Sequence, residues 1–289
     1  MSPTDLIEWL TPYRFSWLAV TLLPLAGLLY GIGMKVSRDQ GHHAGFWRPL
    51  SFFLGLTLCY MVLHTQVDYY GQYLFFMHRG QHLVLHHLGA LLIALGNPVW
   101  FWRQAFSYLP FKIPALPLKL ASIPVQVLQH PVIGSAVFFG LIYFWLIPDI
   151  HFDAMLSHEL YLIMNWSMFV DGVLFWLVIV DPRRPEVSGM PGYGIRLLMI
   201  VFTAIPQIIL GAYITFSRQN LYDVYSVCGR AWPISAETDQ VYGGLLTWIP
   251  PAMMEVVAAL IVLSMIMRRE RESSKTHTKL DTLTAGGKS

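Results

Sequence analysis

Four of the chain's eleven histidines fall inside one apolar run, Tyr73 to Gly96, YLFFMHRGQHLVLHHLGALLIALG. His78, His82 and His86 are spaced i, i+4 and i+8, so a helix places them in one stripe with about 12 Å between the outer two. His87 points off that stripe. The run is long enough to cross a bilayer. Imidazoles inside a membrane helix are costly unless something pairs with them, so the stripe is a candidate metal or haem site. His78 and His82 lead that set, because one-turn spacing puts both rings on one face.

The elements that carry these residues follow from composition. Of 289 residues, 55% are hydrophobic and 12% charged, against roughly 25% charged in soluble domains. An all-α integral membrane protein is expected. Seven apolar stretches can each serve as a crossing: Phe15 to Met34, Leu50 to Thr65, Tyr73 to Gly96, Pro131 to Pro148, Leu156 to Val180, Ile195 to Phe216, and Gly243 to Met267. Of the 19 Lys and Arg, 15 lie after the first, third and fifth spans or in the tail. By the positive-inside rule the N-terminus is then outside and the C-terminus cytoplasmic. Residues 1–267 form the membrane domain, and the polar stretch 268–289 reads as a disordered cytoplasmic tail. The long connection Asn97 to His130 begins with an aromatic-rich segment suited to the interface, and its prolines at 110, 114, 117 and 124 argue against one continuous helix. The N-terminus lacks a basic region before a small-residue cleavage site, so no removable signal peptide is expected. The two cysteines, Cys59 and Cys228, suggest neither a disulfide nor a thiolate metal motif. Nothing resembles a nucleic-acid module.

That orientation gathers histidines at the outer leaflet. His64 ends the second span, His78 and His82 open the third, His151 follows the fourth, and His158 opens the fifth. Met61, Met77, Met155 and Met164 and the acids Asp68, Asp149 and Asp153 share that side. Imidazole with thioether suits copper, Cu(I) above all; zinc is compatible with the imidazoles. Singly, His64, His151, His42 and His43 read as ordinary interfacial residues, and methionines at helical spacing as packing. Asp171 and Glu255 are intramembrane acids that each need a partner or a proton.

The run MHRGQHLVLHHLGALLIALGNP resembles the third-span signature of the multi-span CtaG family of cytochrome c oxidase assembly factors. In that signature an H-x-x-x-H pair, here His78 and His82, opens a helix ending Leu-Gly-x-Pro, here Leu95 to Pro98. Gly172 to Trp176 with Asp181-Pro182, then Arg196, Pro206 and Gly211, and finally Leu221-Tyr222, Asp239-Gln240, Gly243-Gly244, Trp248 and Glu255 are similar to the family's later motifs, in order. Family members commonly carry a second histidine in the fifth helix, where Asn165 stands here, and His86 and His87 are additional. The resemblance implies a non-enzymatic role in maturing haem–copper oxidases by handling copper for the copper B centre. The implied setting is a multi-pass protein of the bacterial inner membrane, with an oxidase subunit and a periplasmic copper donor as partners. The expected metal set is His78, His82, His86, His158 and His64.

Other chemistries are weighed against it. A haem protein of electron transfer would pair His64 or His158 with His82 or His86 as axial ligands. A di-iron oxygenase needs more histidine boxes than this chain holds. A zinc protease needs a histidine that His158-Glu159 lacks downstream. A transporter using Asp171 and Glu255 has no substrate signature.

Overall fold

The structure, a computed structural model, describes residues 9, 11–43, 45–108, 115–185 and 190–286. Among them there are helices and no strand, apart from an isolated bridge between Pro12 and Thr65. In chain order the helices are α1 (Trp17–Asp39), α2 (Trp47–His64), α3 (Gln66–Tyr73), α4 (Phe75–His82), a π-helical segment (Leu83–Leu88), α5 (Gly89–Leu95), α6 (Pro98–Tyr108), α7 (Ala115–Leu128), α8 (Pro131–Trp145), α9 (Pro148–Leu156), α10 (His158–Ile179), α11 (Tyr193–Phe216), α12 (Val224–Val227) and α13 (Ala236–Gly286).

Four of these, α1, α10, α11 and the Ala236–Ser274 part of α13, are long and apolar enough to cross a membrane. Two bent pairs raise that to six: Phe75–Leu95 with Pro98–Tyr108, bent by 60°, and Ser122–Leu128 with Pro131–Trp145, bent by 82°. The first bend has a local cause. Asn97 sits in the left-handed region (φ 53°) and Pro98 starts the next helix, where its missing N–H costs nothing. The remaining expected crossing, α2, has 18 residues with Arg48 near its start and His64 at its end. Its polar ends keep it below the apolarity of the other six.

α13 runs from Ala236 to Gly286 and so takes in most of the polar stretch after residue 267; residues 268–275 offer no helix breaker, and Arg184 pairs with Glu272. The long connection holds two helices, α6 and α7. Pro117 lies in the first turn of α7 and Pro124 inside it, while Pro110 and Pro114 lie outside the described residues. α6 lies against α1, with the Trp102 indole donating to the Ala26 carbonyl.

The core has three parts. Phe138, Phe175 and Trp176 join α8 to α10; Phe75, Trp145, Met164 and Tyr222 fill one end of the bundle; Tyr30 and Phe52 seal α1 to α2. Within apolar lipid, packing and interhelical hydrogen bonds hold such a bundle together, and the polar interior of this one runs along Phe75–Leu95.

Candidate metal site

The helix bearing the histidines is started by a residue far away in sequence. Leu74 is extended and its side chain cannot cap, so the first N–H groups of α4 need another acceptor. Asp239, fully buried on α13, supplies it: Oδ2 accepts from Phe75 N at 3.1 Å and Oδ1 from Phe76 N at 2.9 Å. Arg230 neutralises the same carboxylate. Gly243, one turn further along α13, leaves room for Phe75, whose ring would lie 2.2 Å from a Cβ there.

One turn into α4, His78 is completely buried, and neither ring nitrogen has a partner. Its ring centroid is 4.3 Å from that of His82 and 5.1 Å from that of His151. His82 is tied at both nitrogens. Nδ1 stands 3.3 Å from Arg79 Nη1, which can only donate, so Nδ1 accepts and Nε2–H donates to Asn165 Oδ1 at 3.1 Å. His151 is tied as well. Its Nδ1–H donates to the Trp145 carbonyl, and Nε2 accepts from the Tyr225 hydroxyl. Burial pushes the His151 imidazole down to about 4, so the ring is neutral and keeps that lone pair at neutral pH. Arg79, also buried, donates Nε to Thr247.

The π segment separates a second pair. Gly89 N bonds to Val84 O, the i→i+5 closure of a widened turn. This corrects the expected single stripe: His86 does not extend the His78–His82 stack. It stacks on Phe138 at 4.0 Å and bonds Asp171 through Nε2 at 3.0 Å, leaving Nδ1 without a partner. His87 bonds Gln207. Asp171 therefore has its partner in His86, and Glu255 has one in Thr203. Between the two pairs lies a gap lined by Arg79, His82, His86, His87 and Met168 with no room for a water-sized sphere.

The other two expected ligands stand elsewhere. His64 faces α1, accepting from Ser16 N at 3.2 Å beside the Phe15 and Tyr60 rings. His158 is exposed. Among the described residues no three His, Cys, Asp or Glu groups converge closely enough to hold a metal. His151, which by itself reads as an interfacial residue, is the histidine that joins His78. Its only sequence signal is its place in a loop that returns to the same end of the bundle.

Next to this site Asp68 is buried and accepts from Tyr161, Gln81 and Gln72. Burial holds its carboxyl above the usual range, opposed by those bonds.

The resemblance carried by His78, His82 and the later motifs is now matched by their roles in one structure, and comparison settles the family. Residues 28–269 match the cytochrome c oxidase caa3 assembly factor family, Caa3_CtaG. The chain belongs to that family. Among curated proteins this family member is 22% identical over 288 residues to an uncharacterised protein of Mycobacterium leprae and 24% identical over 294 residues to one of Mycobacterium bovis. Both matches cover 96% of this chain and 42% of the relative, so the chain spans less than half the length of these relatives. No solved structure matches. The motifs of this Caa3_CtaG member have physical roles. The Trp176 indole donates to the His86 carbonyl at 3.0 Å, inside the π segment. Arg196 caps the end of α10 through the Asp181 and Ile179 carbonyls, and Gln240 gathers the carbonyls of Ser217 and Gln219.

Proposed function

We propose that this chain helps to mature a haem–copper cytochrome c oxidase by holding Cu(I) at His78, with His82 and His151 as the neighbouring imidazoles, and passing it towards the oxidase's copper B centre. The setting proposed is the bacterial inner membrane, crossed seven times with the N-terminus outside, as the Lys and Arg distribution supports. A periplasmic donor would then supply the metal at the end of the bundle where His78 lies, and an oxidase subunit would receive it within the membrane.

The observation that carries this reading is His78. Leaving both nitrogens of a buried imidazole unpaired costs on the order of 1–3 kcal/mol for each group, and two further imidazoles lie against that ring. Cu(I) accepts two or three imidazoles in open coordination, and an open position suits release better than a closed four-ligand site does. The ring nitrogens of His82 and His151 are held by hydrogen bonds rather than by a metal, so loading exchanges the bond that His82 Nδ1 accepts from Arg79, or the one that His151 Nε2 accepts from Tyr225, for a bond to copper. His86, held by Asp171 with Nδ1 free, is oriented as metal-binding histidines commonly are and stands one turn deeper. The haem alternative needs a slot for a macrocycle beside these rings, where the described side chains leave only the narrow gap.

The test is Cu(I) binding by the detergent-purified full chain under a competing chelator. Replacing His78 and His82 together by Ala should remove the tightly held copper while the helical circular dichroism and melting are retained. Full copper stoichiometry in the double variant overturns the assignment. A Soret band in the purified wild type would move the same histidines to haem ligation.

A further inference from the structure

The end of the bundle beside His78 carries a cleft of about 260 Å³ that the site described above does not use. Three soft donors from three different segments line it: Met155 from α9, His158 at the start of α10, and Cys228 from the loop after α12. Cys228 is exposed and free, and His158 is exposed as well. A thioether, an imidazole and a thiol form the donor set that Cu(I) prefers over hard cations. The cleft shares Arg14, Gln72, His158 and Tyr161 with a second cleft of about 200 Å³ that runs on to Asn165 and Trp166.

The floor of this continuous groove is where the buried site begins. Tyr161 lines both clefts, and its ring centroid is 6.1 Å from that of His78. Asn165 lines the inner cleft and holds His82 Nε2. The Trp166 indole N–H, buried at the same place, has no partner. His158, which the sequence marks as a ligand, thus stands at the mouth of the groove rather than at its floor.

We infer that Met155, His158 and Cys228 form an acceptance site for Cu(I) at this mouth, from which the ion reaches His78 and His82 past Tyr161 and Asn165. The inference rests on the copper reading above and names where the metal enters. Binding there displaces the Cys228 thiol proton to solvent and leaves Cu(I) unchanged in oxidation state.

Maleimide labelling of Cys228 in the detergent-purified full chain tests this, with Cu(I) offered under a competing chelator. Cys59 is fully buried and serves as the unreactive reference. Cu(I) should slow Cys228 labelling at least about tenfold, a difference of about 1.4 kcal/mol. His158→Asn and Met155→Leu should each abolish most of that protection, and His78→Ala/His82→Ala should leave it intact. Protection that survives His158→Asn and Met155→Leu belongs to an isolated thiol and overturns the site. Labelling unaffected by Cu(I), while the wild type still binds copper through His78 and His82, also overturns it and leaves the copper reading standing. Protection that persists in a chain whose double histidine variant binds as much copper as the wild type would keep the outer site and remove the inner one.

Discussion

A buried imidazole normally spends both nitrogens on hydrogen bonds, and the residues around α4 show the rule and its exception side by side. His82 and His151 are satisfied at both nitrogens; His78 is satisfied at neither. Asn165 is the hinge of that contrast. Its side-chain carbonyl is a neutral acceptor that, with Arg79 on the other nitrogen, fixes the His82 tautomer. Asn165→Leu keeps the volume and removes the acceptor, leaving Nε2–H buried and unpaired. Denaturant or thermal unfolding in detergent should show a loss of about 1–3 kcal/mol; no loss would mean that the bond is not made. Arg79 adds a second constraint. Its buried guanidinium lines one narrow gap with His82, His86 and His87, and its bonds to His82 Nδ1 and Thr247 fix where that charge sits.

At the scale of elements, the histidine helix is defined by its partners more than by its own sequence. Asp239 starts it, the π segment turns its lower half, and α10 closes on it at Gly172. A Cβ at Gly172 would lie 2.6 Å from the His86 carbonyl oxygen and 2.8 Å from its Cα, both backbone atoms that cannot step aside. Gly172→Ala should therefore cost about 1–3 kcal/mol through overpacking, and it should also disturb His86. Gly140, helical in α8, is the control, because a methyl group added there would meet no atom within 4 Å. Gly140→Ala should be neutral or stabilising by up to about 1 kcal/mol. Equal melting temperatures for the two variants would mean that α10 does not approach α4 and the π segment as described.

For the whole molecule, the open quantity is topology. Six crossings follow from length and apolarity, counting each bent pair as one, and α2 makes a seventh only with its polar ends at the two interfaces. The two arrangements differ in which side holds each terminus. With seven crossings, Cys228 faces outward and the end of α13 faces the cytoplasm. A membrane-impermeant maleimide should then label Cys228 in intact cells. A cysteine introduced before α1 by Thr11→Cys, with Cys228→Ser in the same chain, should be labelled in intact cells as well. Labelling of Thr11→Cys only after permeabilisation, while Cys228 is labelled in intact cells, would mean that α2 does not cross and would reduce the count to six.

The sequence by itself determined what is local. Apolar run lengths specified helices in place of strands, one-turn spacing paired His78 with His82, and the ordered motifs identified the family. The bend at Asn97-Pro98 and the distant choice of acceptors were not legible there. Which imidazole stands beside His78, and which residue holds His82, depend on how helices from different parts of the chain face one another. His151 is 73 residues from His78, Asn165 is 83 from His82, and Asp239 is 164 from the Phe75 N–H that it accepts. The π turn is likewise invisible in a 3.6-residue period, because tertiary packing at Trp176 and Gly172 accommodates the carbonyl it exposes. His64 and His158 carry the same side chain as His78, yet packing sent one against α1 and the other to the mouth of a groove. Residue type sets what an imidazole can do; only the packed bundle decides which ones are left with nitrogens free to do it.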